Sequence, residues 1–269
     1  MDQVKYNFQD KVVLVTGGTS GIGLATVQQF AQAGAKVVFT GRDTQRAEQA
    51  LRTISPTAHP AHYIQTDNSQ PESILDLFQE IRQVYGTLHF AVNNAADTQG
   101  IGAPLHEFEI KEFDLAMAAN LKGVWLCMQQ EIRIMLDKAS PAGAIVNVSS
   151  VNGLGGAPMG SLYSAAKAGV IALSKSAAQE LATSGIRVNV LAPGAHDTPM
   201  LQQAFKSQAG NDAGKLEQVK QAYFSYIPQK RLGEPAEAAA AILWLCSDAA
   251  GFVTGHTMIV DGGMSSMVR

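Results

Sequence analysis

A single doubly wound α/β domain, one parallel sheet of seven strands with helices on both faces, is the fold class this sequence predicts. Three observations carry that expectation. Short β-branched runs alternate with longer stretches of helical period, several of those runs are apolar at every position as strands covered on both faces must be, and a glycine-rich turn directly follows the first run. At 269 residues, 46% of them hydrophobic, the chain is long enough for one large domain, residues 1–269, and carries no linker or repeat that would divide it.

The elements follow in order. VVLVT at 12–16 is the first strand, and the turn after it opens a helix near Gly21. KVVFT at 36–40 leads to a helix from Thr44, HYIQT at 62–66 to one from Pro71, and LHFAVN at 88–93 to one from Ile110. AIVNVS at 144–149 precedes a helix from Ser161, and IRVNVLA at 186–192 precedes helices from Pro199 and Pro235, with HTMIV at 256–260 as the last strand. Residues 198–230 interrupt the rhythm with mixed polarity and a polar AGNDAG break. Ligands of open α/β sheets bind beyond the carboxyl ends of the strands, so residues 198–225 are expected to form a lid there rather than an ordinary surface insertion.

Charge and composition exclude several functions. A net charge of -3, a pI near 6.1 and the lack of any Lys/Arg cluster leave no footprint for nucleic acid or a membrane surface, so the expected partner is a small molecule. The start, MDQVKYNFQD, has neither a basic nor an apolar leader region, and no apolar run reaches the roughly 18 residues of a membrane span, which gives a cytoplasmic expectation. Cys127 and Cys246 lie far apart in helical segments and read as small apolar residues in a reducing compartment. The six histidines are scattered, and no metal site is expected.

Two local patterns carry chemistry. TGGTSGIG, Thr16 to Gly23, spaces its glycines as Gly17-x-x-x-Gly21-x-Gly23 between a strand and a helix. Gly17 and Gly21 can adopt backbone angles closed to other residues, Gly23 permits tight packing, and the helix presents free N–H groups and its positive dipole end to a pyrophosphate. At the first strand-to-helix junction of such a chain this arrangement points to dinucleotide binding. The second pattern is GSLYSAAKAG, where Tyr163 and Lys167 stand four residues apart, on one face of a helix and able to act on a common group.

These motifs resemble the short-chain dehydrogenase/reductase family in its form of about 250 residues. The resemblance runs through TGGTSGIG, Asp67 after the third strand, NNAA at 93–96, Asn120 in MAANLKG, NVSS at 147–150, YSAAK with Tyr163 and Lys167, PGAHDTPM at 193–200 and TGHTMIVDGG at 254–263. It implies a Rossmann-type fold and hydride transfer between a nicotinamide cofactor and a ketone or secondary alcohol. Tyr163 would be the general acid/base, Lys167 would bind the nicotinamide ribose and lower the tyrosine pKa, Ser150 would orient the substrate oxygen and Asn120 would hold a relay water. The cofactor would be held by Gly17, Thr19, Ser20, Gly21, Ile22, Gly23, Arg42, Asp67, Asn68, Asn93, Ala95, Pro193, Gly194, His196 and Thr198, together with Tyr163 and Lys167. A homotetramer is the common assembly of such proteins.

Physical chemistry is compatible with those roles. A tyrosine titrates near ~10, and one ammonium at ~4 Å supplies about 4 kcal/mol at an effective dielectric of ~20 before desolvation is counted. Of the adjacent serines only one can face the cleft, and the thirteen-residue spacing to the family's tyrosine selects Ser150, leaving Ser149 structural. At the end of the second strand Gly41 stands where an NAD enzyme places an acid, and Arg42 follows, so NADP(H) is favoured over NAD(H) despite the neighbouring Asp43.

The pocket is expected to draw on 97–105, 151–161 and the lid, with Val151, Leu154, Pro158, Met159 and Met200 apolar, which suits a small or medium apolar ketone or alcohol. Departures from the family pattern are Ala96 for glycine, Asp97 for an apolar residue and His196 for an aliphatic one, and Asp97 and His196 read as ordinary solvated side chains. An alternative substrate is a 3-oxoacyl group on an acyl carrier protein, which would require a basic patch beside the cleft. Another class of reading is a catalytically silent NADP-binding regulatory protein, against which the intact Asn120, Ser150, Tyr163 and Lys167 argue.

Overall fold

The computed structural model describes residues 6–54, 56–138, 142–210 and 212–266. Asn211 of the AGNDAG break and residues 1–5 of the start lie outside the described residues. Seven parallel strands form one sheet in the order β3-β2-β1-β4-β5-β6-β7. They are β1 (Val12–Thr16), β2 (Lys36–Gly41), β3 (His62–Gln65), β4 (Phe90–Asn93), β5 (Gly143–Val148), β6 (Ile186–Pro193) and β7 (Thr257–Val260). The doubly wound sheet expected from the alternating pattern is therefore present, with strand ends moved by one or two residues. β4 begins two residues later than predicted, and there His89 Nδ1 accepts the Val12 N–H at 3.0 Å.

The strands are apolar throughout because each face meets a different core. Val13 and Val15 join Phe30, Phe39, Ile242 and Leu243 on one side, whereas Val12 and Leu14 join Leu77, Phe78, Ile81 and Ile145 on the other. Successive side chains of a strand point to opposite faces, so a continuous apolar run supplies both layers. The helices are α1 (Gly21–Gln32), α2 (Thr44–Thr53), α3 (Pro71–Tyr85), α4 (Ile110–Met117), α5 (Gly123–Leu136), α6 (Asn152–Gly155), α7 (Ser161–Leu181), α8 (Pro199–Ala209), α9 (Ala213–Ser225) and α10 (Pro235–Cys246). None of the helices among the described residues is long and apolar enough to cross a membrane.

Two helical features were not legible from periodicity, and a third follows the break expected at AGNDAG. The helix predicted from Ile110 continues as α4 and α5 through a π-helical turn, Ala118–Lys122, in which the Gly123 N–H reaches back five residues to the Ala118 carbonyl. α6 is a single short turn after β5. The segment after β6 forms α8 and α9, separated at Gly210, whose φ of +64 ends α8, and restarted by Asp212, whose side chain accepts from the Lys215 N–H.

Behind the carboxyl ends of the central strands runs a buried polar chain. Asn93 Nδ2 donates to Glu131 Oε2 at 3.0 Å and to Asn147 Oδ1 at 2.9 Å, and Asn147 donates to Ser174 Oγ at 2.8 Å. Glu131 is fully buried, and burial pushes its carboxyl up to about 8 against the lowering bond from Asn93. A carboxyl raised in the folded state keeps a proton that the unfolded chain releases above the ordinary 4.5. Its contribution to stability is full below that value and declines as pH rises toward about 8. Glu131→Gln can still accept from Asn93 but has no titrating proton, so the urea midpoint of the variant is expected to fall less between pH of about 5 and about 8 than that of the wild type. An equal fall in both proteins would remove Glu131 as the cause.

Candidate active site

The glycine turn is fitted between strands with almost no spare volume. Gly17 has φ +65, and a Cβ there would stand 2.8 Å from the Ala95 Cα. One at Gly23 would stand 2.2 Å from the Gly17 carbonyl oxygen, so neither position tolerates a side chain. Asn94 completes the joint: its Nδ2 donates to the Thr16 and Gly17 carbonyls at 3.1 and 3.0 Å, while Thr16 Oγ1 accepts the Asn94 and Ala95 N–H groups. Ser20 stands at the start of α1 without a capping bond from its side chain, which leaves the first-turn N–H groups of α1 directed outward beside Gly21 and Thr198. A cradle of glycine backbone at an uncapped helix N-terminus fits the pyrophosphate of a dinucleotide.

The remaining predicted cofactor residues ring the same carboxyl ends. Arg42 follows β2 with an exposed side chain, and no described residue pairs with its guanidinium. Asp43 is committed elsewhere, capping α2 through the Gln45 and Arg46 N–H groups and pairing with Arg46 at 3.3 Å. Asp67 accepts from the Ser69 N–H and hydroxyl, and Asn68 reaches Cys127 Sγ at 3.5 Å. The Asn93 side chain points away into the buried chain with Glu131, so only its backbone lies toward the cleft. Pro193 ends β6, Gly194 donates to the Val260 carbonyl, and Thr198 caps α8.

His196 differs from the expectation of a solvated side chain. It is 4% exposed, its Nδ1 meets the Gly194 carbonyl at 3.1 Å, and Nε2 is buried with no partner among the described residues. A parallel bridge joins His196 to Gly233, so the two ends of the segment carrying α8 and α9 are clasped together. Such a residue is sheltered because the returning chain at Gly233 covers it, which composition around position 196 does not reveal.

The chemical groups converge at the ends of β5 and α7. Tyr163 and Lys167 are both buried, and Lys167 Nζ donates to the Val148 carbonyl at 3.0 Å while sitting 5.6 Å from the centroid of the Tyr163 ring. Ser150 is half-buried at the cleft, whereas Ser149 is buried and donates to the Lys167 carbonyl at 2.8 Å. Burial pushes the Tyr163 phenol up to about 12, opposed by a hydrogen bond with Ser150 and reinforced by the charge of Asp97. Burial also lowers Lys167 to about 8, and Asp97 acts against that fall. Desolvation is the largest influence on the phenol, larger than the lowering bond from Ser150 and the raising charge of Asp97.

Asn120 lies in the π-helical turn, fully buried, and exchanges two hydrogen bonds with Asp97. Asp97 is thus not a free solvated side chain as the sequence suggested; it is half-buried against a predicted site residue. Leu154, Met159 and Met200 are exposed by 42%, 48% and 40%, so they stand at the surface and are not core packing.

A seven-stranded dinucleotide fold with Ser150, Tyr163 and Lys167 gathered beyond its strand ends defines a class, and the chain belongs to the short-chain dehydrogenase/reductase family of oxidoreductases. The family model described as enoyl-(acyl carrier protein) reductase matches residues 17–265. Among curated relatives, 2,5-dichloro-2,5-cyclohexadiene-1,4-diol dehydrogenase of Sphingobium indicum is 39% identical over 258 residues, covering 96% of this chain and 98% of the relative. Cis-4-hydroxycyclohexanecarboxylate dehydrogenase of Sinomonas cyclohexanicum is 39% identical over 260 residues, covering 97% and 98%. A crystal structure of levodione reductase superposes with a TM-score of 0.91 at 33% identity, over 97% of this chain and all of that one.

A substitution tests the clasp at His196. A Cβ on Gly233 would stand 2.7 Å from the imidazole, so Gly233→Ala is expected to cost about 1–3 kcal/mol by overpacking. Removing the ring relieves the clash, and the loss in a Gly233→Ala/His196→Ala double variant, measured by denaturant unfolding, is expected to be smaller than the sum of the single losses. Strict additivity would show that the two residues do not share one space.

Proposed function

We propose that this oxidoreductase interconverts a secondary alcohol and a ketone on a small or medium, largely apolar substrate, with NADP(H) preferred over NAD(H). The observation that carries the reading is the Tyr163 hydroxyl hydrogen-bonded with Ser150 beyond the end of β5, and the exposed apolar Leu154, Met159 and Met200 support a largely apolar substrate. The names of the relatives, two of which act on substituted six-membered rings, support a cyclic substrate.

Nicotinamide, when bound, supplies or receives the hydride and in its oxidised form brings a positive charge to the cleft. The protein's part is proton transfer and positioning. Ser150 holds the substrate oxygen, and Tyr163 gives that oxygen its proton in reduction or takes it in oxidation. Lys167 fixes the tyrosine face and favours its anion, and Asn120 holds a water through which the proton is exchanged with solvent. The segment 198–225, rooted at the His196–Gly233 bridge, acts as a lid that excludes water. Residues 1–269 work as one domain, and a cytoplasmic homotetramer is the assembly proposed.

Preference for NADP(H) is supported at two positions. Arg42 is exposed beyond the end of β2 for charge-assisted contact with a 2'-phosphate. A Cβ at Gly41 would stand 2.6 Å from Thr19 Cγ2, so the position where an acid would bind ribose hydroxyls has no room for one. Arg42→Ala is expected to raise the KM for NADPH by roughly tenfold or more while sparing NADH. A wild type that prefers NADH would overturn the assignment.

Turnover of a panel of cyclic and open-chain ketones and alcohols tests the reaction itself. Tyr163→Phe removes only a hydroxyl, so the fold is expected to persist while turnover drops about 10²- to 10⁴-fold. Because the phenol is held high, wild-type oxidation is also expected to rise with pH on its acid limb, as Tyr163 deprotonates. A folded Tyr163→Phe enzyme that kept more than about a tenth of wild-type turnover would exclude this mechanism.

A further inference from the structure

We infer that Asp97 is a positioning residue of this active site, locking the Asn120 carboxamide in one orientation and supplying the negative charge that faces Lys167 and Tyr163. The inference builds on the proposed reaction, but its geometry stands apart from it. The Asp97 N–H donates to Asn120 Oδ1 at 3.2 Å, and Asn120 Nδ2 donates to Asp97 Oδ1 at 3.2 Å. The two bonds close a ring between residues on different segments, the loop after β4 and the π-helical turn. A flipped carboxamide would set its NH₂ against an N–H and its oxygen against a carboxylate, so only one orientation is allowed. Asp97 Oδ1 is itself fixed, since it also accepts the Gln99 N–H at 3.0 Å.

An apolar side chain at 97 would retain the backbone half of this ring and lose the half that selects the orientation. Asn120 is fully buried, so its NH₂ would then lose the partner that Asp97 provides, at the cost that attends any buried unpaired donor. The carboxylate has a second effect because it is charged. Among the described residues, the charge of Asp97, in the loop after β4, acts on both Tyr163 and Lys167, favouring the ammonium and disfavouring the tyrosinate. Asp97 thereby acts against the lowering that burial imposes on Lys167.

Two variants separate these roles. Asp97→Asn keeps an oxygen able to accept from both Asn120 Nδ2 and Gln99 N but removes the charge, whereas Asp97→Ala removes both. Asp97→Asn is expected to retain turnover within a few-fold and to move the pH profile of kcat toward lower pH by about half a unit or more. Asp97→Ala is expected to lose roughly tenfold or more in kcat with little change in KM, and the asparagine variant then stands as its rescue. A merely structural aspartate would change melting temperature and leave the pH profile in place.

A readout without turnover separates this inference from the reaction it builds on. The ¹³Cε resonance of Lys167, assigned by its loss in Lys167→Met, is expected to titrate in the wild type near about 8, lowered by burial. In Asp97→Asn its midpoint is expected to move to lower pH, whether or not a substrate has been found. An unmoved Lys167 midpoint in Asp97→Asn would overturn the electrostatic role, and full kcat in folded Asp97→Ala would overturn the positioning role. If Asp97→Ala does not fold, the pH profile and the lysine titration of Asp97→Asn still decide the electrostatic role, and a kcat loss in Asp97→Leu that Asp97→Asn does not share decides the other.

Discussion

The joint between the carboxyl ends of β1 and β4 is the constraint on which the site depends. These neighbours mark the point where the winding of the sheet reverses, and a crevice opens there because the connections leave in opposite directions. Asn94 and Thr16 lace the two ends together through side chain to backbone bonds, and the glycine turn is pressed against that lacing. With backbone atoms this close, the path of the turn leaves little freedom at Gly17 or Gly23. The direction of α1, and hence of its free N–H groups, follows from the path of the turn. What lies beyond the ends of the other strands is placed relative to this joint by the parallel register, Thr16 opposite Asn93 and Asn93 opposite Asn147.

A second constraint is desolvation. Tyr163, Lys167, Asn120 and Glu131 are polar groups withdrawn from water within one sheet end. Each has a different means of support. Lys167 uses a backbone carbonyl, Asn120 uses Asp97, and Glu131 keeps its proton, while the tyrosine stays neutral among the protein's own groups. The site is thus held in a state where charge is costly, and a small change in nearby charge has a large effect on which proton moves.

Much of the architecture was legible because it is local. Alternation of apolar runs with helical stretches gave the sheet, and the glycine spacing and the Tyr163–Lys167 spacing each pointed, within a few residues, to a part of the candidate site. What stayed hidden depends on contacts between distant segments. Asp97 and Asn120 are 23 residues apart, so their pairing has no local signature. The π-helical turn is one extra residue in an otherwise regular helix, with no residue type that demands it. His196 is buried by Gly233, a residue from the far side of the α8–α9 segment.

The contact between Gly41 and Thr19 orders the history that this turn can have. An acidic side chain at 41 meets the threonine methyl before it can reach anything beyond, so the substitution is penalised unless Thr19 has first turned aside or been replaced by something smaller. A smaller residue at 19, by contrast, is sterically free to appear on the present background. The two changes are therefore ordered in both directions: the smaller residue at 19 comes before the acid, and threonine can return at 19 only after the acid has gone.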